Sequence, residues 1–211
     1  MNQSDFHQKL SYLYDMYNQI IKPLIADIEI KYQKFPDSIF NEIRAFNDHI
    51  ARCYIDGMPD DRIEKEMDKA ESHIMRIILD CYKYLIVWYY DYFKQFRVDF
   101  DISFIDNGEF APHFYNQQVR GAKATQKAKK HEGIDKQTSF AKYQEAYNIY
   151  SGLYEEIQDS MPRIRWAKKF GLYQFRKQIF LNVWFWVASV VFSVIIPWKN
   201  ILNWMVSLFT K

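Results

Sequence analysis

The chain is 211 residues long, with six glycines, six prolines, two cysteines and 18% aromatic residues. That length suits one domain with its own core plus an attached segment, and so few turn-formers exclude a β-sandwich and point to long helices. The net charge of +2 hides two larger opposites: residues 1–110 carry 13 Lys and Arg against 20 Asp and Glu (−7), and residues 111–211 carry the remaining 15 against 6 (+9).

The first predicted helix runs from Ser4 to about Lys34, with Phe6, Leu10, Leu13, Tyr17, Ile20, Leu24 and Ile28 at alternating three and four spacing. Pro23 should kink it near Lys22, and Phe35-Pro36-Asp37-Ser38 should stop it and start the next. The second helix, Ile39 to Tyr54, has Ile39, Ile43, Phe46, Ile50 and Cys53 as its apolar seam and a polar face opposite. On that face Arg44-x4-His49 resembles the loose Rx4-6H pattern of HEPN-type ribonucleases, in which an arginine and a histidine act on a phosphodiester. Five residues do not bring Arg44 and His49 onto one stripe, and Ala45 stands where that family prefers a polar residue. The competing reading is a solvated face with Arg44 paired to Asp48 at i,i+4.

Asp56-Gly57-Met58-Pro59-Asp60-Asp61 reads as a turn with an acidic helix start. A third helix follows from Asp60 to about Arg97, amphipathic in its first half and apolar nearly all round in YKYLIVWYYDYFKQF, which implies burial on several sides or a subunit contact. Cys53 and Cys81 occupy apolar helix positions and read as buried hydrophobes, not as a disulfide. Asp99 to Gly108 reads as a loop with a short strand at Ile102 to Ile105.

A fourth helix, Pro112 to His131, has almost no large apolar residue in its outer part, RGAKATQKAKKH. A helix polar all round is either solvated or set against a charged partner. Arg120, Lys123 and Lys127 share one face, and with Lys129 and Lys130 they form the candidate site for an anionic ligand. A fifth helix, Asp135 to Asp159, carries Phe140, Tyr143, Tyr147, Tyr150 or Ile149, Tyr154 and Ile157 as its core stripe, and Met161-Pro162 should end it.

Beyond the break lies a basic collar, residues 161–178, with Arg163, Arg165, Lys168, Lys169, Arg176 and Lys177 and no acidic residue from Ser160 onward. From Ile179 to Trp198 there is no charged side chain, and this length of helix matches a hydrocarbon core of about 30 Å. The collar would hold residues 1–160 in the cytoplasm, and the polar N-terminus lacks the apolar region of a cleavable signal, so the expected arrangement is a C-tail anchor. Residues after Pro197 are too few to cross alone; they either lie in the far interface or continue the span past a kink, within a membrane segment of residues 179–210. At 100° per residue Asn182, Ser189, Ser193, Asn200, Asn203 and Ser207 fall within an arc of about 80°. Such a stripe in lipid needs partners, either as hydrogen-bonding glue between protomers or as the lining of a wet path, and both require a homo-oligomer.

No enzyme chemistry emerges. The histidines, His7, His49, His73, His113 and His131, lack metal spacing, and there is no paired-cysteine motif, phosphate-cradling glycine loop or nucleophile elbow. The expectation is an all-α non-enzyme without metal or cofactor: a long-helix bundle, a transmembrane helix and a short apolar segment.

This layout resembles, in architecture alone and through no diagnostic motif, the membrane effectors of bacterial nucleotidyltransferase-linked anti-phage systems, the channel effector of the Hailong system among them. The resemblance implies a cytoplasmic domain that binds a nucleotide or a short single-stranded oligonucleotide. It also implies an oligomeric channel in the bacterial inner membrane that disrupts the membrane potential. The alternatives are a non-conducting, tail-anchored scaffold whose collar grips anionic lipid, and a membrane-tethered HEPN-like nuclease.

Overall fold

A computed structural model describes residues 3–195, 203 and 205–208, and among them there is no strand. Six α-helices account for most of the chain: α1 (Gln3–Met16), α2 (Lys22–Tyr32), α3 (Asp37–Arg52), α4 (Asp60–Asp99), α5 (Phe110–His131) and α6 (Lys136–Ile195). At 1.5 Å per residue α4 is about 60 Å long and α6 about 90 Å.

The apolar second half of α4 is central because everything else needs a surface to bury against. α3 folds back on the first half of α4, α5 folds back on α6, and α2 and α6 both pack on α4. Tyr82, Leu85, Ile86, Tyr89, Phe93 and Phe96 are buried along one face about 100° wide, while Val87 and Tyr90 on the other side are exposed, so the expected burial on several sides is not what the bundle provides. Their rings meet those of neighbouring helices edge-on or tilted: Phe93 against Phe114 at 5.8 Å, Phe93 against Tyr150 at 5.9 Å and Tyr89 against Tyr154 at 5.6 Å. Edge-to-face contact aligns the positive rim of one ring with the negative face of another, which adds specificity to area burial.

One cation is built into this aromatic layer. Lys31 on α2 is 8% exposed, pairs with Asp27 one turn earlier, and places its ammonium 5.0, 5.2 and 5.1 Å from the ring centres of Trp88, Tyr89 and Tyr154. The three rings come from α4 and α6, so a single side chain ties three helices together.

Three boundaries differ from the sequence expectation, each for a local reason. The first helix is interrupted before Pro23: the Lys22 N–H bonds to the Tyr17 carbonyl, five residues back, in a π-turn over Tyr17–Ile21. The widened turn accommodates a proline that has no N–H to give and whose ring crowds the preceding turn. The expected strand at Ile102–Ile105 is instead part of a 3₁₀ segment, Ile102–Gly108. Ile102 and Ile105, three residues apart, are both buried on one side of it, and the Asp101 carboxylate accepts from the Ser103 N–H at 3.1 Å to start the turn.

The third difference is the largest. Met161-Pro162 does not end a helix, and the expected fifth helix and basic collar form one continuous α6 with Pro162 inside it. Ile157, Ile164 and Ala167 on either side of the proline are buried, Met161 packs against the core, and Arg163 bonds Ser160 at 2.9 Å. Burial of Ile157 and Ile164, roughly 2 kcal/mol each, offsets the roughly 3 kcal/mol a proline costs inside a helix.

Among the described residues no helix is long and apolar enough to cross a membrane. The apolar run that opens at Ile179 is described as helix to Ile195, about 25 Å, short of the 30 Å of hydrocarbon. The rest of the expected span, with Pro197 and Trp198, and stripe residue Asn200 lie outside the described residues.

Replacing Lys31 with Met keeps the apolar stem but removes the charge that three rings and Asp27 surround. Chemical unfolding should show a loss of about 1–3 kcal/mol. An unchanged midpoint would mean that the cage contributes packing alone.

Candidate functional site

The candidate anion site on α5 is presented by the way α5 packs. In the outer half of α5 Gly121, Ala124 and Ala128 are buried, continuing with small residues the face that Phe110 and Phe114 open, so this half is not polar all round. The approach is close: a methyl group added at Gly121 would lie 2.5 Å from the Tyr150 ring. Ser139 on α6 donates to the Ala128 carbonyl at 3.0 Å across the same seam.

With that face turned inward, Arg120, Lys123, Lys127 and Lys130 are exposed and share an arc of about 80° on the outer side. Lys129 is also exposed but lies about 100° round the helix from Lys130, off the row to which the sequence reading attached it. The row is not purely basic in its surroundings. Glu145 on α6 has its carboxyl held below the usual range by a hydrogen bond from Lys142, with further help from the nearby charges of Lys127 and Arg120. Arg120 lines an open depression of about 430 Å³ with Gln144, Glu145, Asn148 and Ile149, and its guanidinium donates to Gln117 at 3.1 Å. An anion arriving here would meet three or four cations and one carboxylate.

The collar divides into two sets. Arg163 reaches Asp106 at 3.5 Å and Lys168 lies 5.0 Å above the Phe100 ring, so both fasten α6 to the 3₁₀ segment and its approach. Arg165, Lys169, Arg176 and Lys177 are exposed and make no ion pair among the described residues. Of the polar stripe, Asn182, Ser189 and Ser193 are exposed on α6, and Asn203 and Ser207 are helical and exposed. The Ser193 hydroxyl donates to the Ser189 carbonyl at 2.6 Å, one turn back.

A polar cluster between α3 and α4 was not anticipated. His49 Nδ1 lies 2.6 Å from Glu66, His73 Nδ1 lies 2.6 Å from Glu42, and the two imidazoles stack at 5.1 Å. Lys69 at 2.6 Å and Arg52 at 3.5 Å complete the ring around Glu66. The Glu66 carboxyl is pushed down to about 2, first by the Lys69 hydrogen bond and then by His49. The signal in the sequence was the spacing Glu66, Lys69, His73 and Arg76, which shares one face of α4. Arg44 is exposed and not part of the cluster, while His49 is turned into it; nor does Arg44 pair with Asp48. No group of three His, Cys, Asp or Glu suited to a metal occurs among the described residues.

Both thiols are buried and free, and burial pushes the Cys81 thiol up to about 12.

Two substitutions test this geometry. Gly121→Ala gains up to about 1 kcal/mol of helix propensity but meets a buried ring, and overpacking of that kind costs about 1–3 kcal/mol, so a net loss of stability is expected in urea unfolding. Stabilisation instead would show that Tyr150 yields. Glu66→Gln should be less stable than the parent at neutral pH. Because the folded carboxyl is depressed, the parent's advantage is full above about 4.3, shrinks as pH falls toward about 2, and is lost below it. Parallel pH–stability curves for the two proteins would contradict the assignment.

Compared with protein-family profiles, with curated proteins and with solved structures, the chain matches none.

Proposed function

We propose that this protein is an oligomeric membrane effector: a helical domain that senses an anionic ligand, carried on a helix whose apolar end inserts into a bilayer and, assembled with other copies, conducts ions. The observation that carries this reading is the end of α6. Past Phe170 the helix leaves the bundle, and Phe180, Val183, Trp184, Phe185 and Trp186 are all 55% exposed or more. These residues point in every direction around the axis, so one docking partner on one side would leave most of them in water, whereas lipid covers all. The sequence extends the run through Ile196 and Trp198, which brings it to span length.

Control is assigned to the exposed row Arg120, Lys123, Lys127 and Lys130. A ligand with several phosphates would bind through these cations with strong salt dependence, and a nucleotide or short single-stranded oligonucleotide has that chemistry. Binding shifts the assembly only as far as its affinity differs between conducting and non-conducting forms. Anti-phage defence in the bacterial inner membrane is the setting that the resemblance of layout implies.

A second reading is favoured by one contact. The Ser193 hydroxyl already bonds its own helix at Ser189, so part of the stripe is satisfied without water or a partner. A non-conducting, tail-anchored scaffold follows if the rest of the stripe is glue.

Ion flux through proteoliposomes holding the full-length protein, with and without a short single-stranded oligonucleotide, separates these readings. Flux that the oligonucleotide alters is expected. Arg120→Glu, Lys123→Glu and Lys127→Glu together should remove both oligonucleotide binding and its effect, and Asn182→Leu with Ser189→Leu and Ser193→Leu should stop conduction. Inserted, oligomeric protein that passes no ions under either condition would leave the scaffold.

A further inference from the structure

We infer that copies of this chain associate in parallel through the face of α6 that points away from the bundle, along a seam of Trp166, Phe170, Tyr173, Lys177, Phe180, Trp184, Val187 and Val191; this rests on the membrane reading above. The seam repeats every seven residues in three-four steps, the pattern by which one helix fits along another. Seven of its eight side chains are apolar, and all are exposed, with Trp166 at 65% and Tyr173 at 61%. The Trp166 and Phe170 rings stack on each other at 5.2 Å and make no ring contact with the bundle.

Two observations name a second copy as the occupant. The first is distance. On a helix near the bilayer normal, Phe170 and Trp166 stand about 14 and 20 Å above Ile179, where the apolar run begins, whereas the headgroup layer is only about 5–8 Å deep on each side. Lipid therefore does not cover them, yet they continue in register the seam that enters the membrane.

The second is direction. Leu153, Ile157, Ser160 and Ile164 face the bundle, and at 100° per residue Asn182, Ser189 and Ser193 point the same way to within about 40°. A second α6 laid against the polar stripe would meet the first copy's own bundle just above the membrane. The seam lies on the opposite side, at about 150–250° round the axis from that direction, where its side chains are exposed among the described residues. Lys177 is the one charge in it, about 3 Å above Ile179, at the depth where a lipid phosphate can lie between two ammonium groups.

In this assembly each stripe lies on the side of its own bundle. Bringing the stripes to a common path requires α6 to bend, and Gly171, where the bundle contacts end, is the residue there with the lowest helix propensity.

Disulfide cross-linking of the full-length protein in proteoliposomes tests the interface, with the parent as control because Cys53 and Cys81 are buried. Tyr173→Cys and Trp184→Cys should give covalent dimer on oxidation, and Asn182→Cys and Ser189→Cys should not. Dimer at 182 and 189 but not at 173 and 184 would overturn the seam while leaving an oligomeric membrane protein. Inserted chains that photobleach in single steps and cross-link at no position would overturn both readings.

Discussion

The structure depends on α6 remaining one helix through Pro162. A proline at this position withholds the N–H that would bond Gln158 and crowds the turn before it, and in isolation that would end the helix. Here Met161 just before the proline and Ile164 and Ala167 beyond it are held by the core, with Arg163 bonded to Ser160 and to Asp106 of the 3₁₀ segment. Tertiary packing overrides a local preference, and the consequence is mechanical. The helix that forms one wall of the bundle is the same helix that carries the apolar end.

The bundle holds that wall through rings. Tyr143, Tyr147, Tyr150 and Tyr154 project from α6 into a layer that α4 supplies with Tyr82, Tyr89, Phe93 and Phe96. Burial pushes the hydroxyls of Tyr82, Tyr147 and Tyr150 up from their ordinary range, with Tyr147 reaching about 12, so the layer stays uncharged at any physiological pH. The charges that the layer does contain, Lys31 and Asp27, neutralise each other within it.

Periodicity was legible in the sequence wherever large apolar residues marked a face. The seam of α3, the stripe of α4 and the tyrosines of α6 all lie where three-four spacing put them, because burial of a large side chain dominates the choice of face. What was hidden depended on small residues or on distant partners. Gly121, Ala124 and Ala128 carry little hydrophobic signal, yet they allow a close approach to Tyr150 on α6 and so decide which way Arg120 and Lys127 point. The His49–Glu66 and His73–Glu42 pairs join residues 17 and 31 apart in the chain, and no local pattern identifies which carboxylate a histidine will meet. Pro162 misleads for the same reason, since its neighbours are fixed by contacts that the sequence does not order.

Were α6 to stay straight past Gly171, small events at the bundle would become large at its apolar end. Take Tyr150, whose ring fills the space left by Gly121, as the pivot: Ile195 is then about 68 Å along the axis, and a tilt of 5° carries it roughly 6 Å, more than half the spacing between packed helices. The row Arg120, Lys123 and Lys127 lies on the helix that makes this pivot, and Glu145 beside it belongs to α6. An anion that draws Arg120 and Lys127 toward itself withdraws them from Glu145 and so bears on the α5–α6 seam where leverage is greatest. Amplification of this kind needs a second seating of α6 against α5, nearly equal in energy to the first, with the rest of the bundle unchanged. The Tyr150 ring closed over Gly121 fixes one such seating tightly, since even a methyl group added at Gly121 would lie 2.5 Å from it.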